Sequence, residues 1–341
     1  MAVEGDNKRI SLAARPQGIP ESNCWKLENV ARKAPAAGQI MVRIIYVSVD
    51  PAMRGWINDG ESYLPPVQLG ETMRALALGE VLRSESEEFK VGDFVSGMFG
   101  VQEYATVDAD ATIAKVDPSL ARLTTYLGVL GMPGMTAYFG VLEEGKLKAG
   151  DTLFISGAAG AVGAAVGQIG KIHGARVVGV AGGEKKCAYL NDTLGFDAVV
   201  DYRAEADLGA AIDRVCPEGI DVFFDNVGGD ILDAAVQRLR LGARVVICGA
   251  ISQYNAMEDW TARVAYLPFL FQRATLTGFV ILDYMPRYAE GGAAMAAWLQ
   301  QGKLQAREDV REGLENFPSV LLELFTGGNF GKLILQIAEE S

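Results

Sequence analysis

The sequence predicts an α/β protein in which a doubly wound parallel sheet is joined to a barrel-like β domain. Three observations predict it. From residue 151 onward, short apolar runs alternate with helical stretches, as parallel strands with right-handed crossovers require. Residues 8–125 instead carry short runs rich in β-branched residues between glycine turns, as a multi-stranded β domain does. At the head of the alternating half stand a short apolar run, glycines at 157, 160 and 163, and a stretch rich in Ala, Val and Ile. That is a strand, a turn and a helix. The length of 341 residues suits two domains.

In chain order, residues 40–49 alternate and are β-branched, and Asp50-Pro51 ends them. Residues 79–82, 93–96 and 103–107 read as further strands, and Val91-Gly92-Asp93 is the turn feeding the second of them. Residues 127–142 are helical in composition but interrupted by Pro133 and Gly134, which predicts a helix, a break and a helix. Strands are expected at 152–156, 176–181, 197–201, 220–225, 243–248 and 275–281. Helices are expected at 160–173, 184–194, 205–215 and 229–240, with another at 285–301. Residues 331–337 read as a strand that rejoins the first domain. The expected division is therefore 1–125 for the first part of the β domain, 126–301 for the parallel-sheet domain and 302–341 for the return.

Composition excludes several functions. A net charge of −12 argues against nucleic acid and against an anionic membrane surface. Residues 152–170 carry no charge, but five glycines and several polar residues interrupt them, so no membrane span is expected. The N-terminus has no apolar signal core. Cys24, Cys187, Cys216 and Cys248 are scattered without a C-x-x-C pair, which fits free thiols in the cytoplasm. His173 is the only histidine, so no zinc spacing is present and no metal is expected. At the end of a helix, His173 reads as a cation or donor for the C-terminal carbonyls. No Ser–His or Cys–His pair is available, which leaves proton handling to a tyrosine, a cofactor hydroxyl or water.

The glycine turn is built to hold a pyrophosphate. Gly157 allows the tight turn, Gly160 lets backbone approach the phosphates, and Gly163 lets the helix pack closely. The free N–H groups of the helix start then face the anion. The strand at 176–181 carries no acid at its tip for a ribose 2′-hydroxyl, and Lys185 and Lys186 follow within a turn of helix. This favours NADP over NAD, with Glu184 keeping NAD as the weaker alternative. Tyr202 lies beside the adenosine phosphate or simply on the rim. Asn226 bonds the nicotinamide ribose or merely forms a turn before two glycines. Residues 248–255 end the next strand on the same rim, where ligands of open α/β sheets sit.

Longer stretches carry a family resemblance: Ser48-Val-Asp-Pro51 with Met53-Arg54-Gly55, Ser62-Tyr-Leu-Pro-Pro66, Gly131-Met-Pro-Gly-Met-Thr-Ala-Tyr138, Phe224-Asp-Asn-Val-Gly-Gly229 and Asn329-Phe-Gly-Lys332. With the glycine turn and residues 248–255, they make the chain resemble the zinc-free medium-chain dehydrogenase/reductase superfamily. Within it, the chain is similar to the group of prostaglandin reductases and bacterial curcumin reductases. The resemblance implies a Rossmann domain beside a GroES-like catalytic domain. It implies NADPH-dependent reduction of the C=C bond of α,β-unsaturated ketones and aldehydes, and a homodimer. By position it places Gly160, Ala161, Val162 and Gly163 at the pyrophosphate, and Lys186 and Tyr202 at the 2′-phosphate and adenosine ribose. Asn226, Cys248, Gly249, Ala250, Ile251, Ser252, Tyr254, Phe279, Val280, Ile281 and Asn329 fall around the nicotinamide half. Tyr254 matches a tyrosine linked to catalysis, and Tyr63 and Met98 fall near the substrate mouth. The chain departs from the pattern at Ala52, where a tyrosine is usual, and at Asp201, where an asparagine is usual. Ala52 should reshape the pocket, and Asp201 should bring negative charge to the adenosine end. A quinone reductase of the same superfamily and a non-enzymatic NADPH-binding protein are the alternatives.

Overall fold

A computed structural model describes residues 5–60, 62–256 and 264–340. The opening residues 1–4, part of the stretch read above as lacking a signal core, lie outside it. The chain forms two compact units, one from Met1–Leu127 with Glu308–Ser341 and one from Gly128–Arg307.

The first unit begins with an antiparallel pair, β1 (Asp6–Leu12) and β2 (Trp25–Ala31). Around it lie β3 (Gln39–Ser48), the short α1 (Met53–Trp56), β4 (Ala77–Ser84), β5 (Phe94–Gly97), β6 (Tyr104–Asp108) and β7 (Thr112–Val116). β3 is long enough to take three partners. β4 lines one edge. The other edge pairs first with β6 along Gln39–Arg43, then through Tyr46–Ser48 with a strand from the C-terminal end of the chain. The side chains of β3 explain its position: Ile40, Val42, Ile44 and Val47 are fully buried in the unit's core.

The second unit carries α2 (Met132–Phe139), β8 (Thr152–Ile155), α3 (Ala161–Ile172), β9 (Arg176–Ala181), α4 (Glu184–Ala188), β10 (Ala198–Asp201), α5 (Leu208–Val215), β11 (Ile220–Asp225) and α6 (Gly229–Val236). It continues with β12 (Leu239–Ile247), α7 (Leu267–Gln272), β13 (Thr275–Gly278) and α8 (Tyr288–Gln300). Its sheet runs β10-β9-β8-β11-β12-β13, all parallel. Counted from β8, this is the 3-2-1-4-5-6 order of a dinucleotide-binding sheet, with its switch point between β8 and β11. The inner strands β8 and β11 are apolar throughout their middle because helices cover both faces. The chain then returns to the first unit as β14 (Glu308–Glu312), α9 (Phe317–Thr326) and β15 (Lys332–Gln336), the strand that pairs with β3 and with β14.

Several elements differ from expectation. Pro133 and Gly134 do not break a helix: they begin α2, after an extended Gly131. Proline suits that position because its missing N–H would have no intrahelical partner there. Gly134 is required because a Cβ would lie 1.8 Å from the Val129 carbonyl oxygen. The helix expected to 240 ends at Val236, and β12 starts at Leu239. The Ile220 N–H donates to the Arg238 carbonyl and draws the chain into the sheet early. The strand expected to 281 ends at Gly278, opposite the last residue of β12. Phe279 leaves the sheet to place its ring edge-on to Phe224 and Tyr284. Residues Ile281–Arg287 then form a 3₁₀ helix containing Pro286, so α8 begins three residues later than expected.

Candidate functional site

The carboxyl ends of β8, β11 and β12 form one rim. β8 leads through Ser156 into Gly157, whose φ of +60° lies in the left-handed region. A side chain there would be strained. Gly160 is extended and precedes α3, and among the described residues no side chain caps the helix. The first N–H groups of α3 therefore point out of the turn without a side-chain acceptor, which is the geometry of an anion site. Gly163 cannot carry a side chain: its Cβ would lie 2.4 Å from the Gly157 carbonyl oxygen and 2.8 Å from Ala158 Cα. Ala161, Val162 and Gly163 thus sit with Gly160 directly against the turn.

At the β9–β10 end, Gly183 (φ +93°) starts α4. Lys185 is exposed, whereas Lys186 is half-buried. Tyr202 and Arg203 pack over Gly182, where a Cβ would meet the Tyr202 ring at 2.8 Å and Arg203 Nε at 2.9 Å. The guanidinium lies 5.8 Å from the Tyr202 ring centroid. Asp201 does not simply present a charge here. Its Oδ1 accepts from the N–H groups of Gly183 (2.9 Å) and Arg203 (3.0 Å), so it ties the two loops together.

On the other side of the switch point, Asn226 is fixed by Ser156. Its N–H donates to Ser156 Oγ (2.8 Å) and its Nδ2 to the Ser156 carbonyl (2.8 Å). Residues 248–254 fold over the same loop. Cys248 and Gly249 donate to the Asp225 carbonyl, Ile251 to that of Asn226 and Ser252 to that of Val227. Ser252 Oγ donates to the Val227 carbonyl as well (2.6 Å). Tyr254 turns back on this segment, where its hydroxyl oxygen accepts the Ala250 N–H at 3.2 Å. Burial and the neighbouring Asp225 push the Cys248 thiol up to about 12, so it stays protonated. Phe279 crosses above Gly140, and Val280 and Ile281 follow half-buried.

The remaining expected residues belong to the first unit. Tyr63 is 52% exposed, and its hydroxyl accepts from Trp56 Nε1 at 3.2 Å. Met98 packs against the core of that unit. Asn329 Nδ2 donates to the Gly331 carbonyl at 3.0 Å. Just beyond it, Lys332 Nζ is buried against the Val49 carbonyl (3.0 Å) and Asp50 Oδ1 (2.7 Å).

His173 terminates α3 as expected, with its ring edge-on to Trp298 at 5.8 Å; partial burial lowers its pKa, which favours the donor over the cation of the two readings. Three residues escaped the sequence reading: Ser156, Asp225 and Arg203. Each adjoins a residue that was singled out, but their roles arise from which strands and loops become neighbours. Among the described residues, no three His, Cys, Asp or Glu side chains group as a metal site. Nor, among them, is any helix long and apolar enough to cross a membrane.

A parallel sheet in this order, with an uncapped glycine-bounded helix at its switch point, defines a dinucleotide-binding protein of the Rossmann class. Residues 8–116 match the family described as N-terminal domain of oxidoreductase, and residues 161–297 match the one described as zinc-binding dehydrogenase. The NADPH-dependent curcumin reductase of Escherichia coli is 41% identical, over 97% of each chain. The NADP-dependent 2-alkenal reductase of Nicotiana tabacum is 37% identical over the whole of both. The crystal structure of CurA from Vibrio vulnificus in complex with NADPH superposes with a TM-score of 0.91 at 43% identity, covering 98% of this chain and 100% of that one. The chain belongs to the zinc-free medium-chain dehydrogenase/reductase superfamily, in its curcumin reductase group.

Proposed function

We propose that this protein reduces the C=C bond of α,β-unsaturated ketones and aldehydes at the expense of NADPH. The observation that carries the cofactor half is the α3 cradle, where the positions of Gly157 and Gly163 exclude side chains and the helix start lacks a side-chain cap. Full-length similarity to curcumin and alkenal reductases supports the substrate half. In this reading Gly160–Gly163 hold the pyrophosphate, and Lys186 and Tyr202 hold the 2′-phosphate end. Asn226, residues 248–254, residues 279–281 and Asn329 surround the nicotinamide half. Tyr63 and Met98 line the substrate mouth.

When bound, NADPH supplies the hydride for the substrate β-carbon. The chain's task is then to orient the two reactants, exclude water and stabilise negative charge on the substrate oxygen. Tyr254 is the residue proposed to donate to that oxygen or to supply the α-carbon proton, since its hydroxyl is already fixed by the Ala250 N–H. Tyr254→Phe should lower kcat by roughly two orders of magnitude, the usual loss for one preorganised donor. NADPH affinity should move several-fold at most. Full turnover in that variant removes Tyr254 from the chemistry.

The deciding experiment is NADPH oxidation with a panel of enones, enals and a quinone. Turnover of enones and enals with product saturated at C=C is expected. Quinone turnover alone would shift the protein to the quinone-reductase alternative, and NADPH binding without turnover would make it a binding protein.

The free thiols and the absence of disulfides among the described residues favour a reducing, cytoplasmic setting. A homodimer is part of this reading. β13 is an edge strand of its sheet, and Leu276 on it and Tyr266, Leu270 and Phe271 beside it are exposed apolar residues. Edge pairing of two copies would cover them. Sedimentation as a monomer at micromolar concentration would exclude it.

A further inference from the structure

Asp225 is a carboxylate with no solvent exposure, at the end of the apolar strand Ile220–Asp225. Burying an ion there costs several kcal/mol unless hydrogen bonds replace the lost water. The donors are all present. Oδ1 accepts from Ser156 Oγ (2.6 Å), from Val227 N–H (3.0 Å) and from Gly228 N–H (3.1 Å), which also reaches Oδ2 (3.1 Å). Its main-chain carbonyl accepts from Cys248 and Gly249. Ser156 is equally buried, and while donating to Asp225 it accepts the Asn226 N–H. One carboxylate and one hydroxyl thereby join the ends of β8 and β11, while the end of β12 is tied to Asp225 by main-chain bonds. Gly228, with φ +72°, turns its N–H inward toward the carboxylate, a backbone conformation favoured by glycine.

These bonds reach only one side of the rim. Nothing in them touches Gly183, Lys186, Tyr202 or Arg203; on that side Asp201 ties Gly183 to Arg203. We infer that Asp225, with Ser156, is a positioning residue that holds loop 226–228, on whose carbonyls Ile251 and Ser252 rest, in the shape that receives the nicotinamide half of the cofactor, leaving the adenosine half to the Asp201 side. The inference rests on the NADPH reading above.

Calorimetric titration of the full chain with NADPH and with 2′,5′-ADP tests it, because the second ligand contains only the adenosine half. Asp225→Asn keeps the shape but turns an NH₂ group toward donors that need an acceptor. NADPH affinity should fall about tenfold, the loss of one hydrogen bond to a charged group, while 2′,5′-ADP affinity stays within about twofold. Ser156→Ala should act in the same direction more weakly. The double variant should bind NADPH no worse than Asp225→Asn, since both changes open one network. Equal losses for the two ligands would make Asp225 a general support of the fold and overturn the inference, as would unchanged NADPH affinity. If Asp225→Asn does not fold, Ser156→Ala decides by the same comparison. Failure of the unaltered chain to bind NADPH would remove the proposed function, and this inference with it.

Discussion

Gly163→Ala is expected to weaken NADPH binding by about two orders of magnitude, the penalty for displacing a binding element by about 1 Å. In an ordinary helix the same change stabilises by up to about 1 kcal/mol, so the predicted sign is opposite to the intrinsic one. The reason is local. The new Cβ would stand 2.4 Å from the Gly157 oxygen and 2.8 Å from Ala158 Cα. Both are backbone atoms of the turn, so no side chain can rotate away. Either α3 withdraws from the turn or the turn opens, and both movements displace the N–H groups proposed to meet the pyrophosphate. At Gly160 the nearest protein atom to an added Cβ is the Gly157 oxygen at 3.2 Å, and the backbone is ordinary extended chain. The cost of Gly160→Ala to folding stability should therefore be clearly smaller than that of Gly163→Ala, although its Cβ would stand where the pyrophosphate is proposed to approach. A Gly163→Ala protein with unaltered NADPH affinity would remove the steric argument and with it the assignment of this turn.

Lys332→Met is expected to cost about 3 kcal/mol of unfolding free energy, read by urea titration. Lys332 is 3% exposed, and its ammonium is held by the Val49 carbonyl and Asp50. Asp50 in turn is hydrogen-bonded to Ser48. Methionine preserves the apolar stem but leaves a carboxylate and a carbonyl without their donor. Removing one partner of a buried pair typically costs 3–5 kcal/mol. Because the Asp50 side chain retains 26% exposure, the lower end applies. The double variant Lys332→Met with Asp50→Asn should recover much of the loss, since it removes the orphaned charge. A loss below about 1 kcal/mol in the single variant would place the pair among solvent-accessible ones. The site is consequential because β15 docks on β3 at this point, with Ile334 opposite Ser48.

The elements readable from sequence were those governed by local rules. The alternation of apolar runs located β8 to β11 within a residue or so, because buried parallel strands leave little choice of residue. The glycine turn was readable residue by residue, because positive φ and zero side-chain volume are demands that Gly157 and Gly163 meet in any context. Elements with ambiguous local signals fared worse. Pro133 is compatible with a helix break and with a helix start, and only the approach of Gly134 to Val129 selects the start. Residues 279–281 are as apolar as a strand, yet they leave the sheet because β12 ends at Ile247 and offers no further partner.

For the site, the sequence alone determined the glycine turn before α3, the lysine-bearing second βα turn and the segments that end on the rim. Each depends on residues within about ten positions of one another. Tertiary structure alone decided that Ser156 and Asp225 form one buried network, that Asp201 is engaged by two backbone N–H groups, and that the His173 ring packs edge-on to Trp298. Those outcomes depend on partners tens to more than a hundred positions away or across a loop, brought near by strand order and helix packing. Hydrogen bonding and desolvation act over a few ångströms of space, whatever the distance along the chain.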